Sequence, residues 1–188
     1  SRKDYRNKNH NKFIKSLLKK YSEYYIIPEG GTNNLAVKGC EEILCENDLI
    51  FDVVCCSVGT GGTISGIINA SNSNQKVLGF PALKNPQIHK DICKFAKQSN
   101  WKLFCDYHFG GYAKVNSDLI RFMNKFKMDF KITLDPVYTS KMIYGVFDLI
   151  KKRVISEKDK VLIIHTGGIQ GIEGMNDYLK KNNFDLII

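Results

Sequence analysis

The chain reads as an α/β protein: an open, mostly parallel sheet covered by helices on both faces. Three observations predict this. Short apolar runs alternate with helical patterns almost throughout the 188 residues, in the order βαβαβαβ. Two of those runs, VVCCSV and VLIIH, are apolar on consecutive residues, as strands are when helices cover both faces of a sheet. Glycine-bearing loops at 59–62, 110–111 and 167–168 follow strands, at the edge where ligands of such sheets bind.

In chain order, the first 28 residues stand apart: lysine and tyrosine dominate, and Phe13, Leu17, Leu18 and Tyr21 recur at helical spacing. They predict a helix at the edge of another unit. The apolar run at 24–27 reads as a strand, 34–46 as a helix, 51–58 as a strand, 63–71 as a helix and 76–80 as a strand. Residues 71–75, SNSNQ, make a polar turn between the last two. A helix near 86–98, a strand at 101–107, helices at 117–127 and 140–152, and a strand at 160–165 complete the pattern. Right-handed crossovers between parallel strands follow by default.

Composition narrows the class. With 43% apolar residues the chain suits a soluble globular protein. Asp52 interrupts the longest apolar run, so none approaches the roughly 18 residues of a membrane span. The formal charge of +9 invites a nucleic-acid reading, but only four of the 28 basic residues are arginines, and the lysines are spread along the chain. Bidentate phosphate and base recognition favours arginine, so the charge reads as a lysine-rich solvated surface.

Six cysteines, at 40, 45, 55, 56, 93 and 105, form no CxxC pair. Cys55 and Cys56 fall in one apolar strand, where consecutive side chains point to opposite faces. Buried free thiols in a reducing cytoplasm are the reading, and the four histidines supply no local ligand cluster for zinc.

The segment FDVVCCSVGTGGTISG, 51–66, is the most informative stretch: a strand-like run enters a glycine loop that opens into a helix. Glycines 59, 61 and 62 allow a tight turn and close backbone approach, and Thr60 and Thr63 add hydroxyls beside the free amides of a helix N-terminus. A bound phosphate would gain those donors together with the helix dipole. A glycine turn that only packs strand against helix is the competing reading. A dinucleotide fingerprint needs glycine where Ile64 stands, and a triphosphate loop needs lysine where Thr63 stands, so neither pattern is met.

Four segments in order, IPEGGTNN (27–34), SVGTGGTISG (57–66), LDPVYTSKMIYG (134–145) and IIHTGGIQG (163–171), resemble the family of 1-aminocyclopropane-1-carboxylate deaminases and D-cysteine desulfhydrases. The resemblance covers essentially the whole chain. It implies the two-domain pyridoxal-phosphate fold of the tryptophan-synthase-β type, with residues 1–28 ending the small domain and linker and 29–188 forming the large cofactor-binding domain. It further implies pyridoxal 5'-phosphate as cofactor, its phosphate held by Gly59, Thr60, Gly61, Gly62 and Thr63, with Tyr138 and Tyr112 beside it to orient substrate or relay a proton. Thr166 is placed at the pyridine nitrogen, where a hydroxyl makes the ring a weaker electron sink than a carboxylate would.

The deaminase branch carries a glutamate where this chain has Thr139, and lacks the threonine of HTGG. That tilts the reading toward β-elimination of D-cysteine to pyruvate, ammonia and sulfide, with 1-aminocyclopropane-1-carboxylate deamination as the alternative and a non-catalytic phosphate-ligand binder as the further one. A homodimer acting on a small amino acid in the cytoplasm is implied, with no nucleic acid or membrane partner. The family's Schiff-base lysine and its serine-asparagine-histidine motif lie upstream of anything present, so the chain is expected to be a C-terminal portion. Lys141 and Lys114, nearest in sequence to the tyrosines, read as phosphate-adjacent or solvated, and His165 as a strand-end packing or hydrogen-bonding residue.

Overall fold

The computed structural model describes residues 1–8 and 10–188; Asn9, inside the segment expected to be helical, lies outside them. The chain divides into two compact units, Ser1–Gly31 and Thr32–Ile188. In the first, α1 spans Arg2–Arg6, and α2 (Asn11–Lys20) carries Phe13, Leu17 and Leu18 of the anticipated helical spacing, with Tyr21 just past its end. The Tyr5 hydroxyl bonds to Glu29, and Lys8 pairs with Glu29 at 2.9 Å. The strand expected at 24–27 is absent: the segment is irregular, with Tyr24, Tyr25 and Ile27 exposed. Apolar alternation alone does not make a strand where no neighbouring strand takes up the backbone groups.

The second unit begins with α3 (Asn34–Cys40), whose first turn is capped by Asn33 Oδ1 accepting from Ala36 N at 2.9 Å. The helix expected to reach 46 breaks up beyond Cys40 into two short 3₁₀ turns, the second fixed by Cys45 N donating to Asp48 Oδ2. Next come β1 (Val53–Val58), α4 (Gly62–Ala70), β2 (Lys76–Pro81) and α5 (Ile88–Cys93). Helix α5 is shorter than expected because Asn69 Oδ1 takes Lys97 N, and Gln98 turns its amide onto the carbonyls of Ile68 and Ser71 at the end of α4. Strand β3 (Trp101–Leu103) gives way at Cys105–Tyr107 to a 3₁₀ turn. Helices α6 (Ser117–Phe130) and α7 (Thr139–Lys151), strand β4 (Val161–Ile164) and helix α8 (Gly171–Lys181) follow. Helix α8 was not foreseen; it buries Met175 and Leu179, one turn apart, and exposes most of its other residues.

Among the described residues, four strands lie in the order β3-β2-β1-β4, all parallel. Strand β1 is central and wholly buried. One face packs Val53, Cys55 and Phe80 against residues of α6, α7 and α8; the other packs Val54, Cys56 and Val58 against α4 and α5. The adjacent cysteines therefore face opposite layers, and burial pushes both thiols up, Cys56 to about 12. Burial is not general among the cysteines: Cys45, Cys93 and Cys105 are exposed and Cys40 half-buried, because they stand on short helices and turns. Helices α3 and α4 approach closely where Gly66 lacks a side chain, since a Cβ there would lie 2.4 Å from Cys40 Cβ. No described helix is long and apolar enough to cross a membrane.

Candidate functional site

Strand β1 delivers the chain to Gly59–Gly62 at its carboxyl end, where α4 begins. Gly61 turns the backbone with φ of 92°, a left-handed value that favours glycine, and a Cβ there would meet Ile92 Cγ1 at 2.9 Å. Gly62 is pressed from the other side: its Cβ would lie 2.8 Å from Thr32 Oγ1. Thr32 Oγ1 and Thr60 Oγ1 share a 2.6 Å hydrogen bond, so Thr32 braces the loop. Thr32 belongs to the quoted IPEGGTNN segment, yet nothing in the sequence shows that it meets Thr60. The first-turn amides of α4 have no intrahelical carbonyl, and Thr60 is exposed beside them. First-turn N–H groups without an intrahelical acceptor and the positive end of a helix are the features that would suit a phosphate.

Replacing Gly62 by alanine would force Thr32 aside and disturb this cradle. We expect the preference for pyridoxal 5'-phosphate over pyridoxal, read by equilibrium dialysis, to fall by about tenfold, equivalent to about 1.4 kcal/mol.

The turn before α7 is built by Asp135, which is 2% exposed. Its Oδ1 accepts from Val137 N and Tyr138 N, both at 2.8 Å, and its Oδ2 accepts from Thr139 N and Thr139 Oγ1, both at 2.6 Å. The carboxylate thus satisfies the orphan donors at the head of the helix and complements its dipole. The missed signal was an aspartate ahead of a proline and a helical pattern, a usual place for a cap. Thr139 is fully buried, its hydroxyl engaged with Asp135, so position 139 presents no group to a ligand.

That turn aims Tyr138 at the glycine loop: a Cβ on Gly59 would lie 3.3 Å from Tyr138 Cε1 and 3.5 Å from its hydroxyl. The Tyr112 ring meets Tyr138 edge-on, with centroids 6.1 Å apart. Burial raises the Tyr138 phenol above its ordinary value, followed by the charge of Tyr112 and a hydrogen bond with it, and then by Asp135. Through the neutral range Tyr138 is a hydrogen-bond donor. Tyr112 itself is 60% exposed.

The third glycine loop leaves β4. Gly167 N donates to His165 Nδ1 at 3.1 Å, which leaves Nε2–H to donate to Thr133 O at 3.0 Å, so His165 is spent on holding the strand end. Gly168, with φ of 87°, lets the loop lie on Asp135: a Cβ there would be 3.2 Å from Asp135 Cβ. Thr166 is exposed at this strand end and makes no hydrogen bond among the described residues. The fold therefore joins Gly59 to Tyr138 and Tyr112, Thr32 to Thr60, and Gly168 to Asp135. Thr166 shares the edge without touching the tyrosines in any described contact.

One sequence expectation is overturned. Lys141 is neither solvated nor free for a phosphate: it is 1% exposed, and its Nζ donates to Gly111 O at 2.7 Å, His108 O at 2.9 Å and Ala82 O at 3.2 Å. Burial pushes it down to about 8, with the Asp135 carboxylate opposing. A helical register that turns Lys141 inward is invisible until the loops it meets are in place. Lys114, by contrast, is exposed.

Comparison with known proteins bears on the family and the fold. The family described as pyridoxal-phosphate dependent enzyme matches residues 3–167. A Pyrococcus horikoshii protein named "Putative 1-aminocyclopropane-1-carboxylate deaminase" is 31% identical over 172 residues, covering 82% of this chain and 52% of its own length. The bifunctional D-cysteine desulfhydrase/1-aminocyclopropane-1-carboxylate deaminase of Arabidopsis thaliana, described as mitochondrial, is 31% identical over 183 residues, covering 86% of this chain and 46% of its own. The crystal structure of an ACC deaminase homologue superposes with a TM-score of 0.79 at 27% identity, covering 94% of this chain and 59% of that one. The chain spans about half the length of the curated relatives it matches.

Proposed function

This chain belongs to the family of pyridoxal-phosphate-dependent enzymes, and on that premise we propose that it serves the β-elimination of D-cysteine to pyruvate, ammonia and sulfide. The observation that supports the proposal is the nearness of the Tyr138 phenol to the glycine loop, its hydroxyl 3.5 Å from where a Cβ on Gly59 would stand. When bound, pyridoxal phosphate supplies the electron sink that lets the substrate lose its α proton. The loop residues Gly59, Thr60, Gly61, Gly62 and Thr63 would hold its phosphate, and Thr166, exposed at the end of β4, would serve its ring nitrogen. Tyr138, a protonated phenol throughout the neutral range, gives its proton to the departing sulfur, with Tyr112 beside it orienting the substrate.

The balance is simple. The Cα–H bond breaks with its proton passing to a general base of the full-length protein, and the Cβ–S bond breaks with its electron pair leaving on sulfur, which takes the Tyr138 proton. One water is consumed as the remaining enamine nitrogen is released as ammonia, so that D-cysteine and water give pyruvate, ammonia and hydrogen sulfide. Thr139 bears on the choice of substrate. Its hydroxyl is locked to Asp135, and no carboxylate occupies that position to help open an unactivated ring. Thiolate is the better leaving group, and it needs less assistance.

Deamination of 1-aminocyclopropane-1-carboxylate is the second reading, favoured by the names of the relatives. The test is a substrate panel on the full-length protein: D-cysteine, L-cysteine and 1-aminocyclopropane-1-carboxylate, with sulfide and 2-oxo acid both measured. Sulfide and pyruvate in equal amounts from D-cysteine are expected. A ring-opened oxo acid without sulfide would reverse the order of the two readings, and cofactor uptake with no turnover of any substrate would favour a binding role. A homodimer is part of the same proposal, to be read by light scattering.

A further inference from the structure

We propose that Lys141 is a positioning residue that pins the loop carrying Tyr112 to the head of α7, setting Tyr112 against Tyr138. It rests on the reading of those tyrosines as the groups facing the cofactor. Lys141 lies one helical turn beyond Tyr138, on the helix whose start Asp135 fixes. Its three ammonium protons match three carbonyl acceptors: Ala82, which follows β2, and His108 and Gly111, which flank the turn before Tyr112. One nitrogen therefore ties together three parts of the chain that are distant in sequence.

The loop needs such a tie. Phe109, Gly110, Gly111 and Ala113 all have positive φ, at 52°, 96°, 128° and 53°, and two of these are not glycine. Its internal hydrogen bonds, Gly111 N to His108 O, Gly110 N to His108 Nδ1 and Lys114 N to Gly111 O, curl it locally. They do not attach it to the body of the protein. Apolar attachment comes from the Phe109 ring, which stands edge-on to Tyr144 at 5.0 Å, and from Ala113 and Val115 against the core; the polar tie is Lys141. Tyr112 is mostly exposed, so its place is set by the backbone that Lys141 holds. A buried ammonium is costly beside an apolar side chain of the same size, and its best-attested use is to specify one arrangement among several.

The test compares the wild type with Lys141→Met, which keeps the volume and removes the donors, and with Lys141→Arg. Amide hydrogen exchange is read for the segment 108–114 and for β1 as an internal standard. In Lys141→Met the loop is expected to exchange about tenfold faster while β1 is unchanged, with partial recovery in Lys141→Arg. In the cofactor-loaded protein kcat should fall with little change in KM. Unchanged exchange at 108–114 would overturn the proposal. A loosened loop with unaltered kcat would sustain the positioning and instead sink the role given to Tyr112.

Should Lys141→Met fail to fold, the wild type carries the test between about pH 7 and pH 10, where Lys141 loses its third donor proton. The loop's exchange should then steepen relative to β1. The ionisable neighbours are Asp135, which favours the charged form, with Tyr138 on the same helix and His108 and Tyr112 on the loop. Parallel pH dependence of loop and β1 would count against the tie.

Discussion

Substitution of Tyr138 by phenylalanine is expected to lower turnover by about 10²- to 10⁴-fold while leaving cofactor uptake close to wild type. The ring edge, which would stand 3.3 Å from a Cβ on Gly59, is kept, so the cradle and the head of α7 are undisturbed, and only the hydroxyl is lost. The phenol is held above its ordinary range first by burial and then by Tyr112, so it is protonated wherever the enzyme is assayed near neutrality. A group raised in this way loses its proton only above about pH 10, so its donor function persists into alkaline conditions. In the wild type, the sulfide-releasing step read by single turnover should therefore show no decline assignable to Tyr138 below that point. Wild-type turnover in Tyr138→Phe would remove the phenol from the chemistry. Tyr112→Phe is expected to cost less, because its hydroxyl is exposed to water that can take its place.

The parts of this site that could be read from sequence are those where backbone chemistry demands a particular residue. Gly61 is needed for its left-handed turn and Gly62 for its lack of a Cβ, and both announce themselves between a strand and a helix. Strand β1 declares its burial by apolar residues in succession, whereas β4, equally apolar, stands at the sheet edge and is only half-buried. The hidden parts are side chains whose work depends on distant partners. Lys141 meets acceptors 30, 33 and 59 residues away, so its sequence neighbours suggest a solvated lysine although it is buried. Thr32 braces Thr60 across 28 residues. The strand expected at 24–27 fails for the converse reason, since its local pattern is suitable but no strand pairs with it among the described residues. Helix α8 was legible in the spacing of Met175 and Leu179, but glycines at 171 and 174 weaken its intrinsic helical preference.

Replacement of Asp135 by alanine is the change expected to cost the fold most. It leaves Val137 N, Tyr138 N, Thr139 N and Thr139 Oγ1 without their acceptor, and Thr139 is fully buried. Water can serve the half-exposed Val137 and Tyr138 amides, but the two Thr139 donors are cut off from it. Loss of the cap costs about 1–2 kcal/mol, and each of the two orphaned Thr139 donors about 1–3 kcal/mol more, giving roughly 3–8 kcal/mol in all. A domain of this size shifts by about 2–4 °C for each kcal/mol, so the melting temperature should fall by on the order of 10 °C. Asp135→Asn keeps one carbonyl acceptor but turns an amide toward Thr139, and should lie between alanine and wild type. Thr139→Val removes the hydroxyl while keeping its shape and leaves the Val137 and Tyr138 bonds intact, so it should cost less than either. The loss is also a positional one: Asp135 supports Gly168 from below and Tyr138 from the side, so the same variant should weaken cofactor uptake at temperatures where it is still folded. Thermal melts combined with dialysis below the transition separate the two effects. A melting temperature within about 1 °C of wild type would show that the four bonds are replaceable by water, and the account of how α7 aims Tyr138 would fall with it.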